Sequence, residues 1–281
     1  MEKGKGRFLH NWIFIEQRVG GKLGVALLEL KNVGKNFGKL QAVSNLDLII
    51  NKGEIHGLIG PNGAGKTTVF NLITGTLPAT SGNIVFNGED ITRLAPHAVA
   101  QRGIARSFQQ TFLFTFSTVL ENVLIGFHMN LQAGSLKEFL HTPASREADR
   151  EAREQALEII DFMGLSAQKY ELAGNLPHGY QRALGVSIAL ACNPTLLLLD
   201  EPVTGMNPVE TTDMVERIRK IRDKGITIVV VEHSMKVVMD VSDRITVLNY
   251  GRKIAEGLPD DIKKNKEVIE AYLGEDESDA A

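Results

Sequence analysis

The sequence predicts an α/β fold that a helical segment divides into two parts. Strand and helix patterns alternate over residues 27–109 and again over 195–258. From about 110 to 190 the strand patterns thin out, and a long amphipathic helix is predicted instead. Short buried strands that alternate with helices are typical of an open α/β sheet. We therefore expect one α/β unit that carries an inserted α-helical subdomain.

Short apolar runs and turn residues define the individual elements. Residues 27–33 alternate as a strand, residues 42–50 form a second strand, and a hairpin with an Asn87-Gly88 turn is predicted at 83–88. These strands predict an antiparallel β subdomain. The other elements are predicted in chain order as a strand over 54–60, helices over 66–73 and 95–104, a long helix over 146–163, a strand over 196–199, a helix over 208–222, a strand over 226–231, a helix near 235–241 and a hairpin over 245–256.

The two ends of the chain differ from this regular part, which we bound at residues 27–258. Residues 1–26 form a basic leader that ends in glycines. Three interpretations stay open for this leader: a poorly ordered arm, a true start near Val25, or a short contact with a membrane surface. Residues 259–281 are expected to form a helix and a disordered acidic tail, whose acids are Glu275, Asp276, Glu277 and Asp279.

Composition restricts the class of protein. The 281 residues are 43% hydrophobic and 23% charged, which excludes a disordered chain. A net charge of −3 argues against a strongly basic nucleic-acid binder, so no nucleic-acid partner is expected. The sequence has no run of 18 apolar residues, and its single Cys192 cannot form an intramolecular disulfide. We expect a soluble chain in a reducing compartment.

A glycine-rich loop between a predicted strand and a predicted helix is the strongest chemical signal. It fits the pattern Gly-x-x-x-x-Gly-Lys-Thr, in which backbone N–H groups surround phosphate oxygens at a helix N-terminus. Lys66 would reach the β- and γ-phosphates, and the Thr67 hydroxyl would hold Mg²⁺. The loop comprises Gly60, Pro61, Asn62, Gly63, Ala64, Gly65, Lys66, Thr67 and Thr68. It predicts a P-loop NTPase core.

Two acids at the end of an apolar strand complete this prediction. Four leucines at 196–199 precede Asp200 and Glu201, which places both acids at the strand's carboxyl end, where open α/β sheets bind ligands. Asp200 would hold Mg²⁺ directly or through water. Glu201 would polarise the attacking water as a general base.

These motifs, in this order, resemble the ATP-binding-cassette ATPases over residues 27–258. The resemblance implies ATP and Mg²⁺ as cofactors and ATP hydrolysis as the activity. It also implies that Gln109, in Ala105-Arg-Ser-Phe-Gln, approaches Mg²⁺ and the attacking water. His233, in Val230-Val-Glu-His, would contact the γ-phosphate, and Phe37 would stack on adenine.

The family's signature motif, Leu-Ser-Gly-Gly-Gln, is changed in this chain. Its positions are occupied here by Leu176, Pro177, His178, Gly179 and Tyr180. In the family the signature serine reaches the γ-phosphate of a partner cassette. Proline offers neither a hydroxyl nor an N–H, so we expect this chain to give its partner a weakened half-site. Gly179 and the following helix start would still present backbone amides.

Further stretches resemble the longer ATP-binding subunit of bacterial branched-chain amino-acid importers. They are 173–179, 200–208, 232–239 and 268–274, together with an insertion over about 127–151. The resemblance implies two membrane permease subunits and a second ATPase subunit as partners, and a periplasmic or extracellular substrate-binding protein as an indirect one. The chain would lie peripherally on the cytoplasmic face of the membrane. Alternatives are a urea or amide importer, a lipid exporter, and a soluble cassette acting on DNA or ribosomes.

A cluster of phenylalanines follows the expected glutamine loop. Four of the twelve phenylalanines, Phe108, Phe112, Phe114 and Phe116, lie within nine positions. They are expected either to fill the core of the helical subdomain or, in part, to line a groove that receives a short helix of the membrane subunit.

Overall fold

A computed structural model describes residues 25–107, 113–129 and 143–276. Predictions for the leader up to residue 24, for Gln109, Phe108 and Phe112, and for the last five residues concern positions outside these ranges. No helix of the described part is long and apolar enough to cross a membrane.

The described residues form ten strands and nine α-helices. The strands are β1 (Ala26–Phe37), β2 (Leu40–Asn51), β3 (Ile55–Ile59), β4 (Ser81–Phe86), β5 (Glu89–Asp90), β6 (Ile104–Ser107), β7 (Leu196–Asp200), β8 (Thr227–Val231), β9 (Arg244–Asn249) and β10 (Arg252–Gly257). The helices are α1 (Lys66–Ile73), α2 (Pro96–Gln101), α3 (Val119–Met129), α4 (Pro143–Phe162), α5 (His178–Ala191), α6 (Pro208–Asp223), α7 (Met235–Val241), α8 (Pro259–Lys264) and α9 (Lys266–Asp276).

The larger sheet has six strands in the order β10-β9-β3-β8-β7-β6. All its neighbouring pairs are parallel except β9 and β10, which form the predicted closing hairpin. Strands β3, β7 and β8 are buried at all five positions. Alternate leucines of β7 enter two different apolar cores, because successive side chains of a strand point to opposite faces. The sheet therefore carries core packing on both faces.

The smaller sheet is antiparallel in the order β2-β1-β4-β5, as the alternating patterns predict. Its inner face packs with α1 and with one face of the larger sheet in a single apolar core. The helical segment formed by α3, α4 and α5 joins a second core on the other face of that sheet. The predicted α/β fold with its helical insertion is therefore confirmed.

Two local predictions are wrong. A single helix was expected over 95–104, but α2 ends at Gln101 and β6 begins at Ile104. The four residues of β6 include Arg106 and Ser107, so they carry no apolar run, and the strand forms because it pairs in parallel with β7. Disorder is predicted from Glu275 onward, but α9 includes Glu275 and Asp276; Glu277 and Asp279 lie outside the described residues.

The C-terminal segment consists of two helices that meet at Asn265. The Oδ1 atom of Asn265 accepts hydrogen bonds from the backbone N–H groups of Glu267 and Val268 at 2.9 and 3.2 Å, which starts α9 anew. Ile262 and Val268 are buried in a third apolar core with residues of β3, β9 and α7. The two helices therefore pack on the edge of the larger sheet that β9 and β10 form.

Cys192, at the C-terminal end of α5, gives a prediction about thiol chemistry. Burial raises the pKa of its thiol to about 11, and a thiol rather than a thiolate is a poor nucleophile. We expect alkylation by iodoacetamide at about pH 8 to be about a hundredfold slower in the folded chain than in denaturant, since the pKa lies about two units above its ordinary value. The rate of mass increase checks this, and equal rates would contradict it.

Candidate nucleotide-binding site

The glycine-rich loop connects β3 to α1 at the carboxyl edge of the larger sheet. Gly60 has φ +154°, and a Cβ there would lie 2.1 Å from the carbonyl oxygen of Leu248. Gly65 has φ +103°, and its Cβ would lie 2.7 Å from the carbonyl oxygen of Ala42. Side chains at these two positions would therefore collide with the backbone. The α1 N-terminus that follows has no acidic residue in its first turn, so its N–H groups favour an anion.

Lys66 lies inside this loop and is 6% exposed. Its Nζ donates to the carbonyl oxygens of Gly60 at 2.5 Å and of Pro61 at 2.9 Å. The ammonium is thus held at the loop that the sequence assigns to phosphate. The next residue, Thr67, is exposed, whereas Ala64 is buried and anchors the loop.

Asp200 ends β7 and is 6% exposed. Arg106 of β6 donates from Nη2 to its Oδ2 at 2.5 Å, and from Nη1 to Oδ1 of Asn71 at 2.6 Å. The sequence patterns identified neither Arg106 nor Asn71 as part of the site. The available signal for Arg106 was a cation inside the expected glutamine-loop motif, three residues before Gln109.

Glu201 and His233 are brought into direct contact, although the sequence patterns gave them separate roles. Nε2 of His233 lies 2.7 Å from Oε1 of Glu201. Glu201 has φ +49°, a left-handed conformation that costs a non-glycine residue of order 1–3 kcal/mol. Its N–H donates to the carbonyl oxygen of Val231 at 2.8 Å, which fixes the turn to the end of β8. The strained backbone therefore holds the carboxylate beside the imidazole.

Glu232 is a third acid at this edge, beside Asp200 and Glu201, and the sequence patterns gave it no role. It is 3% exposed, and its Oε1 accepts from the N–H of Val203 at 2.8 Å. Burial raises the pKa of its carboxyl group, and the charge of Glu201 raises it further, against backbone hydrogen bonds that lower it. Glu232 thus joins the segment after β7 to the segment after β8. An acid directly before His233 was the available signal.

The structure also tests whether Mg²⁺ fits these residues. No group of three or more His, Cys, Asp or Glu side chains within the described ranges is arranged to hold a metal ion by itself. Mg²⁺ in nucleotide sites is bound by one or two protein oxygens together with phosphate oxygens and waters. Thr67 and Asp200 offer one hydroxyl and one carboxylate, so the donor set fits a magnesium ion that arrives with phosphate.

Phe37 lies at the end of β1 and is 46% exposed, so it is not a core residue. The Nζ of Lys35 lies 5.1 Å from the centre of its ring. The next strand, β2, starts close by, and its Ala42 carbonyl borders Gly65 of the loop. Stacking of this ring on adenine stays a prediction.

The altered signature motif starts α5. Leu176 is buried, whereas Pro177, His178 and Tyr180 are exposed, and Pro177 occupies the N-cap position without a side-chain cap. Gly179 faces α6, since a Cβ there would lie 3.2 Å from a carboxylate oxygen of Glu210. The motif is thus presented at the surface of the helical segment, where the resemblance expects a partner cassette.

Phe114 and Phe116 are 56% and 94% exposed, so the expectation that they fill the helical core is wrong. The buried Asn122 explains their position. Its Oδ1 accepts from the N–H of Phe114 at 2.9 Å, and its Nδ2 donates to the Phe114 carbonyl at 3.0 Å. This clamp shapes the backbone that precedes α3 and leaves both rings at the surface.

Comparisons with known proteins agree with the motifs. The family model described as ABC transporter matches residues 43–204, and the model described as branched-chain amino acid ATP-binding cassette transporter matches residues 252–278. The high-affinity branched-chain amino acid transport ATP-binding protein BraF of Pseudomonas aeruginosa is 41% identical over 250 residues, covering 89% of this chain and 98% of that protein. The lipopolysaccharide export system ATP-binding protein LptB of Haemophilus influenzae is 34% identical, covering 89% and 98%.

A solved structure gives the same result for the fold. The ADP conformation of MJ1267, an ATP-binding cassette of an ABC transporter, matches with a TM-score of 0.78 and 32% identity, covering 89% of this chain and 99% of that one. The expected family is confirmed together with the fold and with a nucleotide as its ligand. The chain belongs to the ABC transporter family, as one of its ATP-binding cassettes with the ATPase activity that characterises them.

Proposed function

We propose that this chain is the ATP-hydrolysing subunit of an importer of branched-chain amino acids. The observation that carries the substrate class is the match of residues 252–278 to the branched-chain family model, together with the 41% identity to BraF. The chain acts peripherally, on the cytoplasmic face of the membrane, and two separate permease subunits carry the amino acid.

Each residue of the site has its own role in phosphoryl transfer. The loop N–H groups and Lys66 bind and neutralise the phosphates, while Thr67 and Asp200 hold Mg²⁺. When bound, Mg²⁺ neutralises charge that develops on the phosphate oxygens. Glu201 accepts the proton of the attacking water, and His233 contacts the γ-phosphate. Gln109, two residues after the end of β6 in the sequence, is predicted to approach the metal and the water.

The contact between His233 and Glu201 supports this assignment. The imidazole of His233 at 2.7 Å from Oε1 and the Thr204 hydroxyl, which donates to Oε2 at 3.3 Å, together orient the Glu201 carboxylate before the water arrives. Phe37 provides the stacking surface for adenine. Its exposed ring and its place near the loop support this role.

Two exposed surfaces of the chain indicate its partners: the altered signature motif at the start of α5, and the rings of Phe114 and Phe116. A second cassette, identical or different, covers the loop with its own signature motif, and Leu176 to Tyr180 of this chain do the same for the partner's site. Phe114 and Phe116 lie just after the expected glutamine loop, and we assign them to the contact with the membrane subunit. A substrate-binding protein acts indirectly, through the permeases.

Reconstitution tests this function. The chain, the two permeases and the second cassette in proteoliposomes should accumulate labelled leucine with ATP inside only when the binding protein is supplied outside. Uptake should stop with Glu201→Gln. The identity to LptB supports a second candidate, a lipid exporter, which predicts ATP turnover that responds to lipopolysaccharide and not to leucine with its binding protein.

The signature motif gives a separate prediction. Pro177→Ser restores an N–H and a hydroxyl at the N-cap of α5. In a complex with a different second cassette we expect the wild type to trap nucleotide unequally at its two sites, and Pro177→Ser to bring the trapped amount toward one nucleotide per cassette. Pro177→Ala is the matched control, since it restores only the N–H. Equal trapping at both sites that neither substitution changes would contradict the weakened half-site.

A further inference from the structure

The guanidinium of Arg106 connects the two elements that carry the candidate metal ligands. Its Nη2 donates to Asp200 at the end of β7, and its Nη1 donates to Asn71 of α1, at 2.5 and 2.6 Å. Asn71 lies four residues after Thr67 on the same helix, so the two side chains share one helix face. Arg106 therefore spans from the carboxylate ligand to the helix that carries the hydroxyl ligand.

This arrangement is buried. The side chains of Arg106 and Asp200 are 12% and 6% exposed. The guanidinium also lies 5.4 Å from the ring centre of Phe70, which is fully buried in α1. A buried carboxylate needs a paired cation, and the planar fork of arginine can serve two acceptors at fixed angles. Lysine has one rotatable ammonium and cannot reproduce this geometry.

We propose that Arg106 is the positioning residue of the magnesium site, which sets the separation between Asp200 and Thr67 so that one cation on the nucleotide reaches both. The proposal rests on the proposed function, because it assumes that both residues hold Mg²⁺. Arg106 does not touch the nucleotide. It changes the affinity of the site for Mg²⁺ and leaves the affinity of the loop for the phosphates unchanged.

The experiment separates these two properties. The affinity for a fluorescent ATP analogue is measured first in EDTA and then during a titration with Mg²⁺. For Arg106→Lys we expect an affinity in EDTA within about twofold of wild type and a magnesium midpoint at least about tenfold higher, the equivalent of about 1.4 kcal/mol. Asn71→Leu removes only the hydrogen bond between Arg106 and α1. It should raise the magnesium midpoint about threefold. Thermal unfolding without nucleotide shows that each variant is folded.

Arg102→Lys is the matched control, because Arg102 pairs with Glu89 on the surface, away from Asp200. It should leave both affinities unchanged. A wild-type midpoint in Arg106→Lys would overturn the proposal, and a lower midpoint would also overturn it, since Arg106 would then compete with the metal. A wild-type chain that binds the analogue equally well with and without Mg²⁺ would instead contradict the proposed magnesium-dependent function.

Discussion

Glu201→Gln is expected to bind ATP as tightly as the wild type and to hydrolyse it about a thousandfold more slowly, the effect of removing a general base. Glutamine keeps the size of the side chain and its contact with His233, but it cannot accept the proton of the attacking water. Because the nucleotide is bound and not consumed, the variant should retain ATP after rapid desalting. Phosphate release and the amount of retained ATP check the two halves of this expectation.

Glu171→Gln is a matched control for this substitution. Glu171 lies exposed before the short helix Ala173–Asn175, and its change should leave turnover at the wild-type rate. Turnover above about a tenth of wild type in Glu201→Gln would remove Glu201 as the base. His233→Ala would then be the informative comparison, since the imidazole at 2.7 Å is the neighbouring group that can take a proton.

Lys66→Ala is expected to weaken ATP binding about a hundredfold, which corresponds to about 2.7 kcal/mol. The substitution removes the only side-chain cation within the loop 60–68, where the phosphates must bind. A fluorescence titration with an ATP analogue measures the loss. The loss of affinity should be smaller for ADP than for ATP, because the ammonium is predicted to reach the γ-phosphate as well as the β-phosphate.

The control for Lys66 is Lys52→Ala, an exposed lysine after β2 that lies outside the loop. It should bind ATP as the wild type does. Thermal unfolding without nucleotide separates a binding defect from misfolding, because Lys66 also donates to two loop carbonyls. Equal affinity for ATP in Lys66→Ala and wild type would contradict the role of the loop.

The sequence was sufficient for those parts of the site that depend on adjacent residues. The loop from Gly60 to Thr68 and the acids after β7 are local patterns, and their chemistry follows from residue types and spacing. The contacts between Glu201 and His233 and between Arg106 and Asp200 were not predictable in this way. These contacts depend on the pairing register of β6, β7 and β8. The register brings together two residues that are 32 positions apart in the sequence in one pair and 94 positions apart in the other.

The same distinction explains the errors in the fold. Strand β6 lacks an apolar pattern and exists because β7 offers it a parallel partner, so local propensity could not reveal it. The clustering of the phenylalanines could not decide between a core and a surface position for Phe114 and Phe116. Their position is decided by Asn122, a buried amide whose hydrogen bonds shape the preceding backbone.

The pairing of β3 has a consequence for the order of events during synthesis. Ile55, just ahead of the phosphate loop, pairs with Ile228, and the next strand on its other side is β9. The ribosome adds about 5–20 residues per second, so the 173 residues from 55 to 228 take about 10–35 s to emerge. The strand that bears the loop has no sheet neighbour during that interval. The sheet around the loop therefore closes only after both β8 and β9 have been synthesised, so the loop precedes its structural support by most of the cassette.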